Sequence, residues 1–338
     1  MSTSFRQGYL DGRSRKSNTP GEILDEPFDL TISASSWDAR SLCITEAKKI
    51  SSSLGITVFF DARDKKGLRD KHDQVLESFW KSKSREYIPI RGSSTHVGKI
   101  WQQIEDLANG LRRSQGRPLR VLVDISACPR YYSLGVLALC FSQRLAESVT
   151  MFYAEGLYKQ NRENHEYAFT GGRWKTLPVP YLDGFCDPGK RRFYLVSVGF
   201  EGLKTLRAVT RADPDRVSLL FPNPGISPDY VEITRKSNEE LVHEYRIPKE
   251  QVVESGAGDA IGAWKALDVA SLDRPDEENS YYLCCGTKPH AVALALRAIA
   301  LQYPAVLYSL PEEHKVHETE PAGTFWRFDI QDVTTVPA

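Results

Sequence analysis

The sequence predicts an α/β fold in which helices wind around mostly parallel sheets, and it predicts that fold twice. Two observations carry the prediction. First, short, continuously apolar runs such as LRVLVDI from Leu119 and SYYLCC from Ser280 alternate with segments whose apolar residues recur at helical spacing. Strands apolar on both faces belong in a parallel sheet covered on both sides. Second, the order repeats. LTISASSWDARSL from Leu30 aligns with LVSVGFEGLKTL from Leu195, LVDISACPRYYSLGVLAL with YLCCGTKPHAVALALRAI, and MFYAEGLYK with VLYSLPEEHK. The offset between copies falls steadily along the chain, as shorter loops in the second copy would make it. The expectation is therefore two Rossmann-like parallel-sheet units related by internal duplication, packed as a pseudo-dimer.

The elements follow in order. Residues 1–26 are polar and read as a mobile tail. The first unit is expected over 27–176. It opens with the strand FDLTISA, a helix over RSLCITEAKKISSSL and the strand ITVFF ending at Asp61. A charged helix over 68–83 and the strand EYIPI follow. Val97, Ile100, Trp101, Ile104, Leu107 and Leu111 share one face of a helix over 97–114. Then come LRVLVDI, the apolar helix YYSLGVLALCFSQRLAE and the strand SVTMFYA. EYAFTGGRWKTL suggests a hairpin turning at Gly171 and Gly172. Residues 177–192 are rich in proline and glycine and read as a linker.

The second unit, 193–338, repeats the pattern. RFYLVSV, RVSLLF, QVVES, SYYLCC and AVLYSL are its strands, and the segments between them are helical. The exception is PNPGISP, which reads as a turn. Ser237 or Asn238 would cap a helix over SNEELVHEYR, and FWRFDI adds an edge strand.

Composition bounds the partners. Lys+Arg and Asp+Glu each number 44, so the formal net charge is zero. A protein coating DNA or RNA needs a basic excess, so a long nucleic acid is disfavoured as the main partner. A small anion needs only a local patch. The six cysteines, Cys43, Cys128, Cys140, Cys186, Cys284 and Cys285, form no C-x-x-C pair, so neither zinc nor a disulfide is expected. His314-x-x-His317-Glu318 has metal-like spacing but lies in a Glu-rich loop. No apolar run has membrane length and no signal peptide opens the chain, so a soluble, cytoplasmic protein is expected. The sequence holds no G-x-G-x-x-G after a first strand, no Walker lysine loop and no G-x-S-x-G, so no cofactor is expected.

In a doubly wound sheet, ligands bind beyond the carboxyl ends of the strands, where the winding reverses. Four loops lie at such ends. In the first half these hold Ser35, Trp37, Arg40, Ser126, Cys128 and Arg130; in the second, Gly199, Glu201, Gly202, Gly286, Thr287, Lys288 and His290. Pro129 and Pro289 fit the first position of the following helices, whose N-termini favour an anion. A pseudo-twofold would bring matching strand ends into one composite cleft. Trp37 could stack on a base or simply fill a core. Lys288 could meet a phosphate or remain a solvated lysine. Asp61, Asp124 and Glu155 end strands, where a lone carboxylate more often anchors a loop.

The segment YLCCGTKPHAVALALRAIA resembles the G-T-K-containing strand–helix motif of CRISPR-associated Rossmann fold (CARF) sensor domains. The paired arrangement resembles the fused double-CARF domains of antiphage signalling systems. The resemblance implies that Gly286, Thr287, Lys288 and the 199–202 loop contact a cyclic or linear oligonucleotide messenger. It implies a regulatory subunit acting through a separate effector chain, since no effector motif is visible. The first half has S-A-C-P-R where G-T-K would stand. Two other readings stay open: an enzyme such as a phosphodiesterase using Lys288, Arg130 or His290, and a scaffold subunit with a vestigial cleft. A homo-oligomer is possible under all three.

Overall fold

The computed structural model describes residues 2–60, 67–93, 96–158, 169–315 and 319–334. Asp61, His317 and Glu318 lie outside the described residues. The elements run, in chain order, β1 (Ser2–Gln7), β2 (Leu10–Ser17), β3 (Pro27–Ala34), β4 (Ser51–Phe60), α1 (Leu68–Lys83) and β5 (Ser84–Gly92). Next come α2 (Val97–Gln115), β6 (Leu119–Asp124), α3 (Arg130–Ser142), β7 (Ala146–Tyr158), β8 (Thr170–Pro178), β9 (Arg191–Ser197), α4 (Gly202–Ala212) and β10 (Arg216–Pro222). The chain continues through α5 (Pro228–Ser237), α6 (Glu239–Glu244), β11 (Val252–Ser255), α7 (Ala260–Ala270), β12 (Glu278–Cys284), α8 (Lys288–Leu301), β13 (Ala305–His314) and β14 (Thr319–Asp332).

Two Rossmann-like sheets result. One has the order β1-β2-β14-β7-β6-β3-β4-β5, the other β11-β10-β9-β12-β13-β8. Numbered within each unit, the five parallel strands have the same order, 3-2-1-4-5. The three matched sequence segments fall on strands of equal rank: β3 with β9, β6 with β12, and β7 with β13. The periodicity explains the match. Val121, Leu122 and Val123 of β6 and Tyr282, Leu283 and Cys284 of β12 are all buried, as strands covered on both faces require. The helices after these fourth strands match too: ten consecutive residues of α3, Tyr132 to Phe141, are buried, and eleven of α8, Pro289 to Ile299.

The structure corrects the expected division. Contacts group Met1–Thr3, Asp11–Lys159 and Val316–Ala338 as one unit, and Ser4–Leu10 and Gln160–Lys315 as the other. The sixth strands are responsible. β8 follows β7 in sequence yet pairs antiparallel with β13, and β14 follows β13 yet pairs antiparallel with β7. FWRFDI is therefore interior to the first sheet, with Phe325, Phe328 and Ile330 buried. Gly171 and Gly172 lie within β8 rather than at a hairpin tip.

The expected tail is also ordered. Leu10, Gly12 and Ser14 face inward at every second position of β2, a period-two pattern hidden by the small size of its inward residues. Within the second unit, Gln7 Oε1 accepts from Trp264 Nε1 at 2.8 Å and Gln7 Nε2 donates to Asp268 at 2.6 Å.

The helix expected over 40–54 is a 3-10 stretch, Ala39–Glu46, because Ser51 already enters β4. PNPGISP leads directly into α5, with Pro228 at its first turn. All six cysteines are free thiols, and Cys186 is exposed. Among the described residues no helix is long and apolar enough to cross a membrane.

Candidate functional site

In the second unit the winding reverses between the adjacent strands β9 and β12. Their outgoing loops press together through glycine. The Gly286 N–H donates to Ser197 Oγ at 3.1 Å. A Cβ at Gly286 would stand 2.6 Å from the Val198 carbonyl oxygen, so only glycine fits there without a backbone shift. A Cβ at Gly199 would lie 3.3 Å from Gly286 Cα. Four of the sequence-derived residues, Gly199, Gly286, Thr287 and Lys288, are therefore brought to one place.

The helix that leaves this place is well made. Thr287 is the N-cap of α8 and accepts from the His290 N–H at 3.3 Å. Lys288 is the first helical residue and is half-buried; Pro289 is the second rather than the first. His290 is fully buried and its Nε2 lies 3.2 Å from the Gly256 carbonyl oxygen, which makes Nε2 the protonated nitrogen. Burial pushes the His290 pKa down to about 4, against the hydrogen bonds to the Gly256 and Ser255 backbone. A neutral imidazole holding the neighbouring loop is its role in this structure.

Glu201 is likewise engaged. Its Oε1 accepts from the N–H groups of Phe169 and Thr170, at 3.1 and 2.8 Å, and from Thr170 Oγ1 at 2.6 Å. Its Oε2 lies 3.5 Å from Lys204 Nζ. The carboxylate thus fixes the start of β8. The 199–202 loop is also clasped from behind. Asn238 Nδ2 donates to the carbonyls of Gly199 and Thr234, both at 2.8 Å. A Cβ at Gly202 would meet the Ser237 carbonyl oxygen at 1.6 Å.

The first unit reverses between β3 and β6, and there side chains fill the space. Asp38 caps the 3-10 stretch, accepting from the Arg40 N–H at 3.0 Å, and binds Arg40 Nη2 at 2.6 Å. Burial, the largest single influence, opposes the charge on Arg40, but Asp38 together with Tyr158 and Tyr153 outweighs it and raises the guanidinium pKa well above its ordinary value. Arg40 also stands 5.3 Å over the Tyr158 ring. Its charge is therefore neutralised inside the unit.

Ser126 is buried and its Oγ accepts from the Ala154 N–H at 2.9 Å. Cys128, aligned with Lys288, is fully buried. Pro129 is the cap residue rather than the first residue of α3, and its carbonyl accepts from the N–H groups of Tyr132 and Ser133. Arg130 begins α3 and is half-exposed. The Trp37 ring lies 4.7 Å from the Arg69 guanidinium, and Ser35 is buried beside Asp73. Burial raises the Asp73 pKa, against the Ser35 hydroxyl and the charges of Arg69 and Arg91. Glu155 and Asp124 anchor structure: Glu155 accepts from Trp326 Nε1 at 2.8 Å, and Asp124 from the Ser126 N–H at 2.9 Å.

Sequence reasoning missed Arg69 and Asp73 at these ends, and it placed Asp38 in a candidate loop and Asn238 at a helix cap without their present roles. Asp38 was detectable, as an N-cap type two residues before Arg40. Arg69 and Asp73, and the hold of Asn238 on Gly199, act across long sequence separations and left no local signal.

No protein-family model and no curated protein matches the chain. Among solved structures, it is similar to the cytoplasmic domain of a prokaryotic cation chloride cotransporter. That match has 11% identity over 86% of this chain and 98% of the other, with a TM-score of 0.24. It is also similar to a functionally unknown protein from Pseudomonas aeruginosa PAO1, at 10% identity over 84% and 93% of the two chains, again with a TM-score of 0.24. Likenesses this weak carry no argument about function, so the functional reading rests on the loops themselves.

Proposed function

We propose that the chain is a non-catalytic sensor of a nucleotide-type ligand, bound at the 199–202 and 286–288 loops of its second unit. The observation that carries this reading is the glycine-to-glycine approach of two loops at a switch point, beside the N-terminus of α8 and Lys288. The glycines let the two loops close together beside the start of α8, where the helix dipole and Lys288 favour the charge of a phosphate. The engaged states of His290 and Glu201 leave neither poised for acid–base work, which supports binding over turnover. The G-T-K resemblance to CARF domains points the same way, towards an oligonucleotide messenger, an antiphage role and output through a separate effector chain. The shared strand order supports descent of both units from one ancestral unit.

Thermal shift and calorimetry with ATP, cyclic di-AMP and cyclic tri- and tetra-adenylate test the proposal. A ligand should raise the melting temperature by mass action. Lys288→Ala should weaken it about ten-fold or more, since a charge-assisted contact contributes roughly 1.5–3 kcal/mol. Equal affinity in the variant, or steady hydrolysis of the bound nucleotide, would overturn it.

A further inference from the structure

The α4–β8 face of the second unit carries a cationic surface built around a tryptophan. Trp174 of β8 is half-buried, and its Nε1 donates to Thr170 Oγ1 at 3.1 Å. Arg207 of α4 stands 5.7 Å from its ring centroid. Arg211, one turn on, donates from Nη1 to the Trp174 carbonyl at 2.8 Å. Pro311, the register partner of Trp174, has no N–H to offer that carbonyl. Leu203, one turn before Arg207, is 56% exposed.

By strand alternation the exposed Lys175 projects from the other face of β8, and the exposed Arg173 lies in the bulge of β8 between Gly171 and Trp174. β8 contains no acidic residue and ends the strand order of its sheet. Among the described residues, Arg173, Lys175, Arg207 and Arg211 form no side-chain ion pair, whereas Lys204 on the same helix is paired with Glu201. The nearby Glu312 carboxylate accepts from the Arg173 backbone N–H.

We infer that this face docks an extended acidic segment of a partner protein, laid along the outer edge of β8. An edge strand supplies main-chain pairing that a peptide can return and a polynucleotide cannot. The cations on the two faces of β8 meet the alternating side chains of such a segment. The half-buried indole and Leu203 supply the apolar contact. The zero net charge of the chain lacks the basic excess that a nucleic acid would need. None of these residues belongs to the 199–202 or 286–288 loops, so the inference stands whether or not those loops hold a nucleotide.

The test is fluorescence anisotropy of a short labelled peptide of alternating glutamate and threonine, titrated with the full chain. Saturable binding that weakens with added salt is expected, together with no binding of the lysine-for-glutamate peptide. Arg173→Glu/Lys175→Glu should weaken binding on the order of ten-fold with an unchanged melting temperature, since both side chains are exposed. A peptide N-methylated at alternate residues should also bind more weakly, because it cannot complete the strand pairing. Three results would overturn the inference. They are equal affinity in the charge-reversed variant, tighter binding of a labelled oligodeoxythymidine lost in that same variant, or self-association of the chain through this face.

Discussion

The two switch points share a strand order and differ in what closes them. At β3 and β6 the space is filled by side chains: the buried Asp38–Arg40 pair, the Ser126 hydroxyl and Cys128. At β9 and β12 it is closed by backbone, with Gly199 against Gly286 and Thr287 capping α8. Ser126 and Cys128 stand where Gly286 and Lys288 stand in the second unit. A common topology therefore leaves the same space at both switch points, and a few loop residues decide whether side chains or backbone close it.

The largest effect should come from breaking the filled end. Asp38→Asn leaves the Arg40 guanidinium buried without a counter-charge, which costs about 3–5 kcal/mol. Urea denaturation should show this, and Asp38→Asn/Arg40→Met should recover much of it. Failure of the double variant to recover would mean that the pair is not what closes the first unit.

The next effect is a pH dependence confined to the second unit. The His290 pKa is lowered to about 4 in the folded chain, while an unfolded histidine titrates near 6.5. Between those values the unfolded chain binds the extra proton. The stabilising contribution is therefore complete above about pH 6.5 and is lost as pH falls towards 4, by roughly 3 kcal/mol in all. Melting curves at pH 7 and pH 5 should separate wild type from His290→Leu, whose stability should lack this slope. An identical slope in both would place the titration elsewhere.

The smallest effect tests the backbone closure. Gly286→Ala puts a Cβ 2.6 Å from the Val198 carbonyl oxygen and should cost about 1–3 kcal/mol. Ser126→Ala, at the aligned position of the first unit, should instead lose hydrogen bonding by the hydroxyl, which includes that from the Ala154 N–H, at a cost of about 1 kcal/mol. Equal costs at the two positions would remove the contrast between the units.

Much of the fold was legible because it is written in local periodicity. The apolar runs of β6 and β12 and the 97–114 helix need no long-range information to be read. Boundaries failed where two patterns met: the serines after Ile50 belong to β4, and the small inward residues of β2 concealed a strand. In the candidate site, Gly286, Thr287 and Lys288 were readable because a strand, a turn and a helix start follow one another in sequence. Asn238 was read as a helix cap, and its hold on the Gly199 carbonyl spans 39 residues.

By itself the sequence determined the α/β class, the number and rank of the parallel strands, and the loops at their carboxyl ends. These follow from hydrophobic period and from the chemistry of turns, which act over a few residues. Only the tertiary structure decided which sheet receives β8 and β14, and that Arg40 and Glu201 are engaged while Lys288 stands at the head of α8. Strand partners and ion pairs are chosen by burial and geometry across distant segments, and no local pattern encodes that choice.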